Sequence, residues 1–274
     1  MIHFVGAGSG APDLITVRGQ RLLAAADVVI WAGSLVNPAL LDNCREGCEI
    51  HDSAKMTLEE VVDVMRRADG EGRDVVRLHT GDPSIYGAHR EQMDELDKLG
   101  IAYDVCPGVS SFCGAAAALK AEFTLPGVSQ SVILTRMEGR TPKPAGEATR
   151  ALASHGATMV VFLSASKLEE LSRELLAGGA YTPDTPAAIV YKATWPDEKV
   201  LRCTLGTLAE TGRENGIRLT ALVVVGGVLA GPHDRSKLYD PTFTTLFREA
   251  SSHAASPASG PDDEPAGAQA PKTA

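Results

Sequence analysis

Three short apolar runs in this chain, Ile2 to Val5, Asp74 to Leu78 and Ala102 to Cys106, each give way at once to a loop of glycine, proline, serine and aspartate. The loops read Gly6-Ala7-Gly8-Ser9-Gly10-Ala11-Pro12-Asp13, then His79-Thr80-Gly81-Asp82-Pro83-Ser84-Ile85-Tyr86-Gly87, then Pro107-Gly108-Val109-Ser110-Ser111. A short apolar run bounded by such turns reads as a buried strand, and its glycines permit positive φ or close backbone approach to a ligand. Helix-patterned segments alternate with the runs: Val17 to Ala26, then strand-like Val28 to Trp31, Leu58 to Ala68, then Val75 to Leu78, and Ala88 to Leu99. This is the rhythm of parallel α/β structure. Three strand ends sharing one loop composition point to one pocket.

Local signals sharpen the helix ends. Thr57 followed by Glu60 fits a capping box, and Gly100 stands where a left-handed residue would stop the preceding helix. Ser131 to Thr135 reads as a further strand, after which Arg136 to Gly146, with Gly139, Pro142 and Pro144, breaks the pattern. The break divides the chain into an α/β unit over 1–136 and a second over 137–250. In the second unit, strands are expected at Met159 to Leu163, Ala187 to Lys192, Val200 to Cys203 and Leu219 to Val225, with a helix from Lys167 to Leu176 capped by Ser166. From Ser251 to the end the composition is alanine, proline, glycine, serine and acidic residues, which predicts a disordered tail.

The 274 residues suffice for two domains, and a 44% hydrophobic share supports a real core. A formal charge of -9 argues against a nucleic-acid partner, which would need a basic face. No apolar stretch reaches the roughly 18 residues of a membrane span, and no basic segment with a long apolar core opens the chain. Five cysteines form neither an even disulfide framework nor paired zinc knuckles, so reduced thiols and a cytoplasmic protein are expected.

Gly6, Gly8 and Ala11 satisfy a loose dinucleotide-binding pattern, but Val28-Val29-Ile30-Trp31-Ala32 ends without the acidic residue a ribose requires. There is no phosphate loop ending in Gly-Lys-Ser/Thr, and neither Ser84 nor Ser110 lies in a nucleophile elbow. The seven histidines lack metal-site spacing, and His79, the one beside the expected pocket, is expected to donate a hydrogen bond at a strand end. Tyr86 and Phe112 fit core packing or an aromatic ligand. Arg136, Arg140 and Lys143 stand where the two units meet, either as a solvated linker or as holders of substrate carboxylates, and Lys167, Lys192 and Lys199 are weaker choices for that role.

Taken together, Val5 to Gly19 (VGAGSGAPDLITVRG), Ala32 to Val36 (AGSLV), Leu78 to Ala88 (LHTGDPSIYGA), Pro107 to Ser111 (PGVSS) and Leu125 to Arg140 (LPGVSQSVILTRMEGR) resemble the S-adenosylmethionine-dependent tetrapyrrole methylases over roughly Met1 to His233. The resemblance implies two α/β domains with S-adenosyl-L-methionine in the cleft between them, and a homodimer. It carries Pro12, Gly81, Asp82, Ile85, Ser110, Ser111, Leu163, Ala193, Thr220 and Ala221 over as the cofactor site. Ser9 departs from the family, many of whose members have proline there. The blocks further imply methyl transfer to carbon 11 of precorrin-4 or its cobalt form in cobalamin biosynthesis, with Arg136 and Arg140 facing the substrate acid groups. The alternatives are a methylase of another tetrapyrrole such as uroporphyrinogen III, and a non-catalytic cofactor-binding subunit. No catalytic acid, base or metal ligand is assigned.

Overall fold

In the computed structural model the first five strands form a wholly parallel sheet in the order β3-β2-β4-β1-β5. They are β1 (Ile2–Gly6), β2 (Val28–Trp31), β3 (Glu49–Asp52), β4 (Val75–His79) and β5 (Tyr103–Cys106). The structure describes residues 1–251, so the tail expected from Ser251 lies, past that residue, outside the described residues. β1, β2 and β4 are nearly sealed, as strands covered on both faces must be. On one face Val5, Val29, Val76 and Leu78 pack with Leu23 of α1 (Val17–Ala25) and with Leu40. On the other, Ile2, Phe4, Ile30 and Val75 meet Met65 of α2 (Leu58–Gly70) and Leu96 of α3 (Arg90–Leu99). Burying each such side chain contributes about 1.5–3 kcal/mol.

The helix-end expectations can be checked atom by atom. Thr57 accepts from the Glu60 N–H while Glu60 accepts from the Thr57 N–H, completing the box, and Gly100 ends α3 at φ 67°. Helix α4 (Ser111–Leu119) starts at the carboxyl end of β5 yet packs against strands of the second sheet through Ala115 and Leu119.

The second sheet has the order β6-β7-β10-β8-β9: β6 (Val132–Arg136), β7 (Thr158–Phe162), β8 (Pro186–Tyr191), β9 (Lys199–Thr204) and β10 (Ala221–Val225). Only β6 and β7 run parallel; β10 is antiparallel to both of its neighbours. Helices α5 (Thr149–Ala153), α6 (Leu168–Ala177) and α7 (Leu208–Glu214) accompany this sheet, with α6 and α7 joining its first core through Leu171, Leu175 and Leu208. The other face is closed by α4 and by Phe123, Val228 and Leu229.

Two expectations change in detail. β6, which a division at residue 136 assigns to the first unit, hydrogen-bonds along β7 in the second sheet. The expected Ser166 cap is absent: a 3-10 turn over Ala165–Lys167 precedes α6, whose first flanking residue is Lys167, with no side-chain cap. Residues 1–232 form one unit, and 233–251 belong to another, a short segment with a 3-10 turn over Lys237–Tyr239, in which Arg248 donates to the carbonyls of Leu238 and Asp240. Among the described residues no helix is long and apolar enough to cross a membrane, all five cysteines are free, and no group of three potential metal ligands occurs.

Candidate functional site

In the first sheet β1 and β4 are neighbours, but the chain leaves β1 toward β2 on one side and leaves β4 toward β5 on the other. Loops that diverge from adjacent parallel strands open a crevice at their carboxyl ends, the usual place for a ligand in an α/β sheet. Gly8 and Gly81 bridge the mouth, with the Gly81 N–H donating to the Gly8 carbonyl at 2.9 Å and the Gly8 N–H to the Gly81 carbonyl at 3.2 Å. Both hold positive φ, 84° and 61°, which glycine adopts without steric cost. The β5 loop comes equally close: a Cβ on Gly108 would lie 2.2 Å from the Gly81 carbonyl oxygen.

Asp82 locks these loops together. One carboxylate oxygen accepts from the Gly108 N–H at 2.8 Å, and the other accepts from the Ser84 N–H at 2.9 Å and from the Ser84 hydroxyl. Burial pushes the Asp82 carboxyl up, but the bonds from Ser84 and Gly108 together outweigh it and leave the group below the ordinary carboxylate range.

The second sheet supplies the facing wall. Because β10 is antiparallel to β7 and β8, the end of β7, the end of β8 and the start of β10 come to one edge. There the backbone is strained: Leu163, Lys192, Thr194 and Thr220 have φ of 52°, 47°, 69° and 55°, as does Tyr86 across the gap at 55°. Non-glycine residues held in this region cost of order 1–3 kcal/mol each and gather at ligand sites. Ser9 joins the walls, its hydroxyl 3.1 Å from that of Thr194, which also accepts the Ala11 N–H at 3.0 Å. The Ser9 hydroxyl thus ties the β1 loop to the second sheet.

Between these walls lies a cavity of about 420 Å³. The sequence-named residues Gly81, Asp82, Ile85, Ser110, Ser111, Leu163, Ala193, Thr220 and Ala221 all line it. Pro12 does not; it begins a 3-10 turn over Pro12–Leu14 behind the loop. Also on the wall, and missed from sequence, are Ser9, Leu35, Thr80, Phe162, Trp195 and Leu219. Tyr86 and Lys192, considered only in passing, are there too; Lys192 bonds Asp197 at 2.7 Å and sits over the Trp195 ring. Leu163 and Leu219 are 67% and 74% exposed, so the cavity mouth carries apolar side chains. Arg136 and Arg140 lie outside this cavity: Arg136 lines a neighbouring hollow, and Arg140 is exposed on the following loop.

His79 is set back from the wall, 3% exposed, with Nε2 lacking any hydrogen-bond partner. Burial, then the charges of Arg77 and His89, drive its pKa down to about 3 against a smaller opposing effect of the Gly87 backbone, so the imidazole is neutral. Among the described residues no histidine or cysteine lines the cavity, so the described wall offers no nucleophile–imidazole pair.

Residues 1–209 match the family of tetrapyrrole (corrin/porphyrin) methylases. This chain belongs to that family. The methylase is 52% identical over 249 residues to a cobalt-precorrin-4 C(11)-methyltransferase of Methanocaldococcus jannaschii, covering 90% of this chain and 96% of the relative. Among solved structures, a cobalt precorrin-4 methyltransferase superposes on the methylase with a TM-score of 0.82 at 46% identity, covering 84% of this chain and 96% of that one. The uroporphyrin-III C-methyltransferase of Thermus thermophilus, solved in complex with S-adenyl homocysteine, gives 0.69 at 27% identity over 83% and 92% of the two chains. The two-sheet α/β architecture of the methylase is therefore that of its family.

Proposed function

We propose that this methylase transfers a methyl group from S-adenosyl-L-methionine to carbon 11 of precorrin-4 or cobalt-precorrin-4 in cobalamin biosynthesis. The observation that carries the reading is the cavity itself, together with the high identity to a named C(11)-methyltransferase over nearly its whole length. Its volume suits a ligand of nucleoside size. Ile85, Phe162, Leu163 and Leu222 offer an apolar bed for a purine, while the hydroxyls of Thr80, Ser110 and Ser111 and the backbone of Gly81 offer partners for a ribose and an amino-acid end. The residues present therefore fit the donor, which supplies an already activated methyl on a sulfonium.

With the donor activated, the protein's contribution is alignment and exclusion of water, each of which lowers the barrier without a general base. We assign donor contacts to Gly81, Asp82, Ile85, Ser110, Ser111, Leu163, Ala193, Thr220 and Ala221. Asp82 also ties the loops, accepting from the Gly108 and Ser84 N–H groups. Pro12 shapes the β1 loop from behind. Arg136 and Arg140 are assigned to the substrate's acid groups, and a cytoplasmic homodimer is the assembly that the family resemblance supports.

The test is an anaerobic incubation with methyl-labelled S-adenosylmethionine and, separately, precorrin-4, cobalt-precorrin-4 and uroporphyrinogen III, reading product mass and labelled carbon. Label at carbon 11 of one precorrin-4 form is expected. Label on uroporphyrinogen III alone would overturn the substrate assignment.

A further inference from the structure

Two of the five free cysteines, Cys44 and Cys48, flank a single tight turn. Cys44 follows the 3-10 helix over Pro38–Asn43, its N–H donating to the Leu41 carbonyl at 3.0 Å. The chain then reverses: the Cys48 N–H donates to the Arg45 carbonyl at 3.2 Å, and Gly47, at φ 76°, fills the third position, where such a turn favours glycine. Both cysteine side chains are half-buried and pack against the core that holds Leu23, Val36 and Leu40. The Cys44 thiol donates a hydrogen bond to the Cys48 sulfur, so the two sulfurs are within reach of each other.

The turn is held from both flanks. Arg45 donates through Nε to the Ala26 carbonyl at 3.1 Å and pairs with Asp27 through its guanidinium. The Glu49 N–H donates to the Asp27 carbonyl at 3.0 Å, which fixes β3 directly after Cys48. Thiols already brought together by a fixed turn can be joined without unfolding the chain. The two are not equivalent. Burial, then the neighbouring Cys48, push the Cys44 thiol up to about 11. Burial raises Cys48 as well, but the bond from Cys44 and the charge of Arg45 pull it down. Cys48 is thus the first of the pair to form a thiolate, the species that attacks a disulfide.

We propose that Cys44 and Cys48 form a reversible disulfide, a thiol-modification site apart from the donor cavity, with Cys48 the attacking and Cys44 the resolving thiol. Neither lines the cavity, and the inference does not depend on which substrate is methylated. The oxidant is a small disulfide such as oxidised glutathione. The Cys48 thiolate attacks one of its sulfurs and expels one glutathione thiolate, leaving a mixed disulfide on Cys48. Cys44, giving up its proton, attacks the Cys48 sulfur and expels the second glutathione. One S–S bond forms in the protein and one breaks in the oxidant, with two electrons and two protons passing to glutathione.

The experiment incubates the full chain with oxidised glutathione without denaturant, alkylates the remaining thiols and digests with trypsin in the absence of reductant. Cleavage after Arg45 puts Cys44 in the peptide 22–45 and Cys48 in the peptide 46–55. Mass spectrometry should find these two peptides joined, two hydrogens lighter than their sum, and separated again by dithiothreitol. Cys113, exposed on α4, should carry glutathione instead and shows that the oxidant was active. Closing so short a loop should raise the thermal midpoint of the oxidised chain by about 5 °C. In Cys44→Ser the mixed disulfide should persist on Cys48, whereas in Cys48→Ser residue 44 should be recovered alkylated. Peptides that stay apart while Cys113 is modified, or that join only in urea, would overturn the site. Glutathione held on Cys44 in Cys48→Ser, with none on Cys48 in Cys44→Ser, would overturn the order of attack.

Discussion

The Thr194 hydroxyl lies 3.1 Å from the Ser9 hydroxyl, and through this contact the loop after β1 is fastened to the loop after β8. The same oxygen accepts the Ala11 N–H, and Thr194 holds φ 69° to do so, a costly conformation for a β-branched residue. Thr194→Val keeps the shape and removes both bonds. We expect a loss of about 1–3 kcal/mol in urea unfolding, the range for two part-buried hydrogen bonds, and weaker donor binding. Wild-type values in both measurements would show that the contact is incidental.

Asp82→Ala removes the acceptor for the Gly108 and Ser84 N–H groups while touching no core residue. Circular dichroism should be unchanged and calorimetric affinity for S-adenosylmethionine should fall by about tenfold or more, the result of loosening two of the walls at once. The sign of the pH effect follows from a lowered folded-state pKa. The tie contributes stability above the ordinary value of 3.8 and is lost as the pH falls through the lowered one.

Gly108→Ala tests the close approach of the loops. The added methyl would meet the Gly81 carbonyl oxygen at 2.2 Å and the Gly6 Cα at 2.7 Å, both backbone atoms that cannot rotate aside. A destabilisation of about 3 kcal/mol is expected, read as a drop in thermal midpoint. A variant as stable as wild type would mean the β5 loop is free to retreat.

Neutral His79 makes stability depend on pH below about 6.5. In the unfolded chain its pKa is near 6.5 and in the fold about 3, so between those values the unfolded state binds more protons and stability declines as the pH falls. With about 1.4 kcal/mol per pKa unit, the contribution at pH 5 relative to pH 8 is about 2 kcal/mol. Urea titrations at the two pH values should show this slope in wild type and a shallower one in His79→Asn. Equal slopes would place the proton-linked cost elsewhere.

The first sheet was legible because its central strands are sealed on both faces and so appear as plain apolar runs. β3, Glu-Ile-His-Asp, stayed hidden: it is a partly exposed edge strand whose side chains serve polar contacts, with Glu49 bonded to His51, Arg67 and Arg73. Helix α4 was missed for another reason, its run Ser-Phe-Cys-Gly-Ala-Ala-Ala-Ala-Leu having too few large residues to show a helical period. In the site, the motif loops carried their own signature, and the residues they name, Pro12 excepted, fall on the cavity wall. Phe162, Trp195 and Leu219 did not, because they come from strand ends of the second sheet, where position depends on register across chain segments far apart in sequence.

Helix α4 follows the first sheet in the chain yet shields Val190, Leu222 and Val224 of the second, and Arg202 of β9 donates to the Leu119 carbonyl at its last turn. Cutting the chain beside β6 would therefore leave one fragment with a greasy helix and no surface to rest it on, and another with a bare sheet face. The two sheets share a wall, and they should melt together.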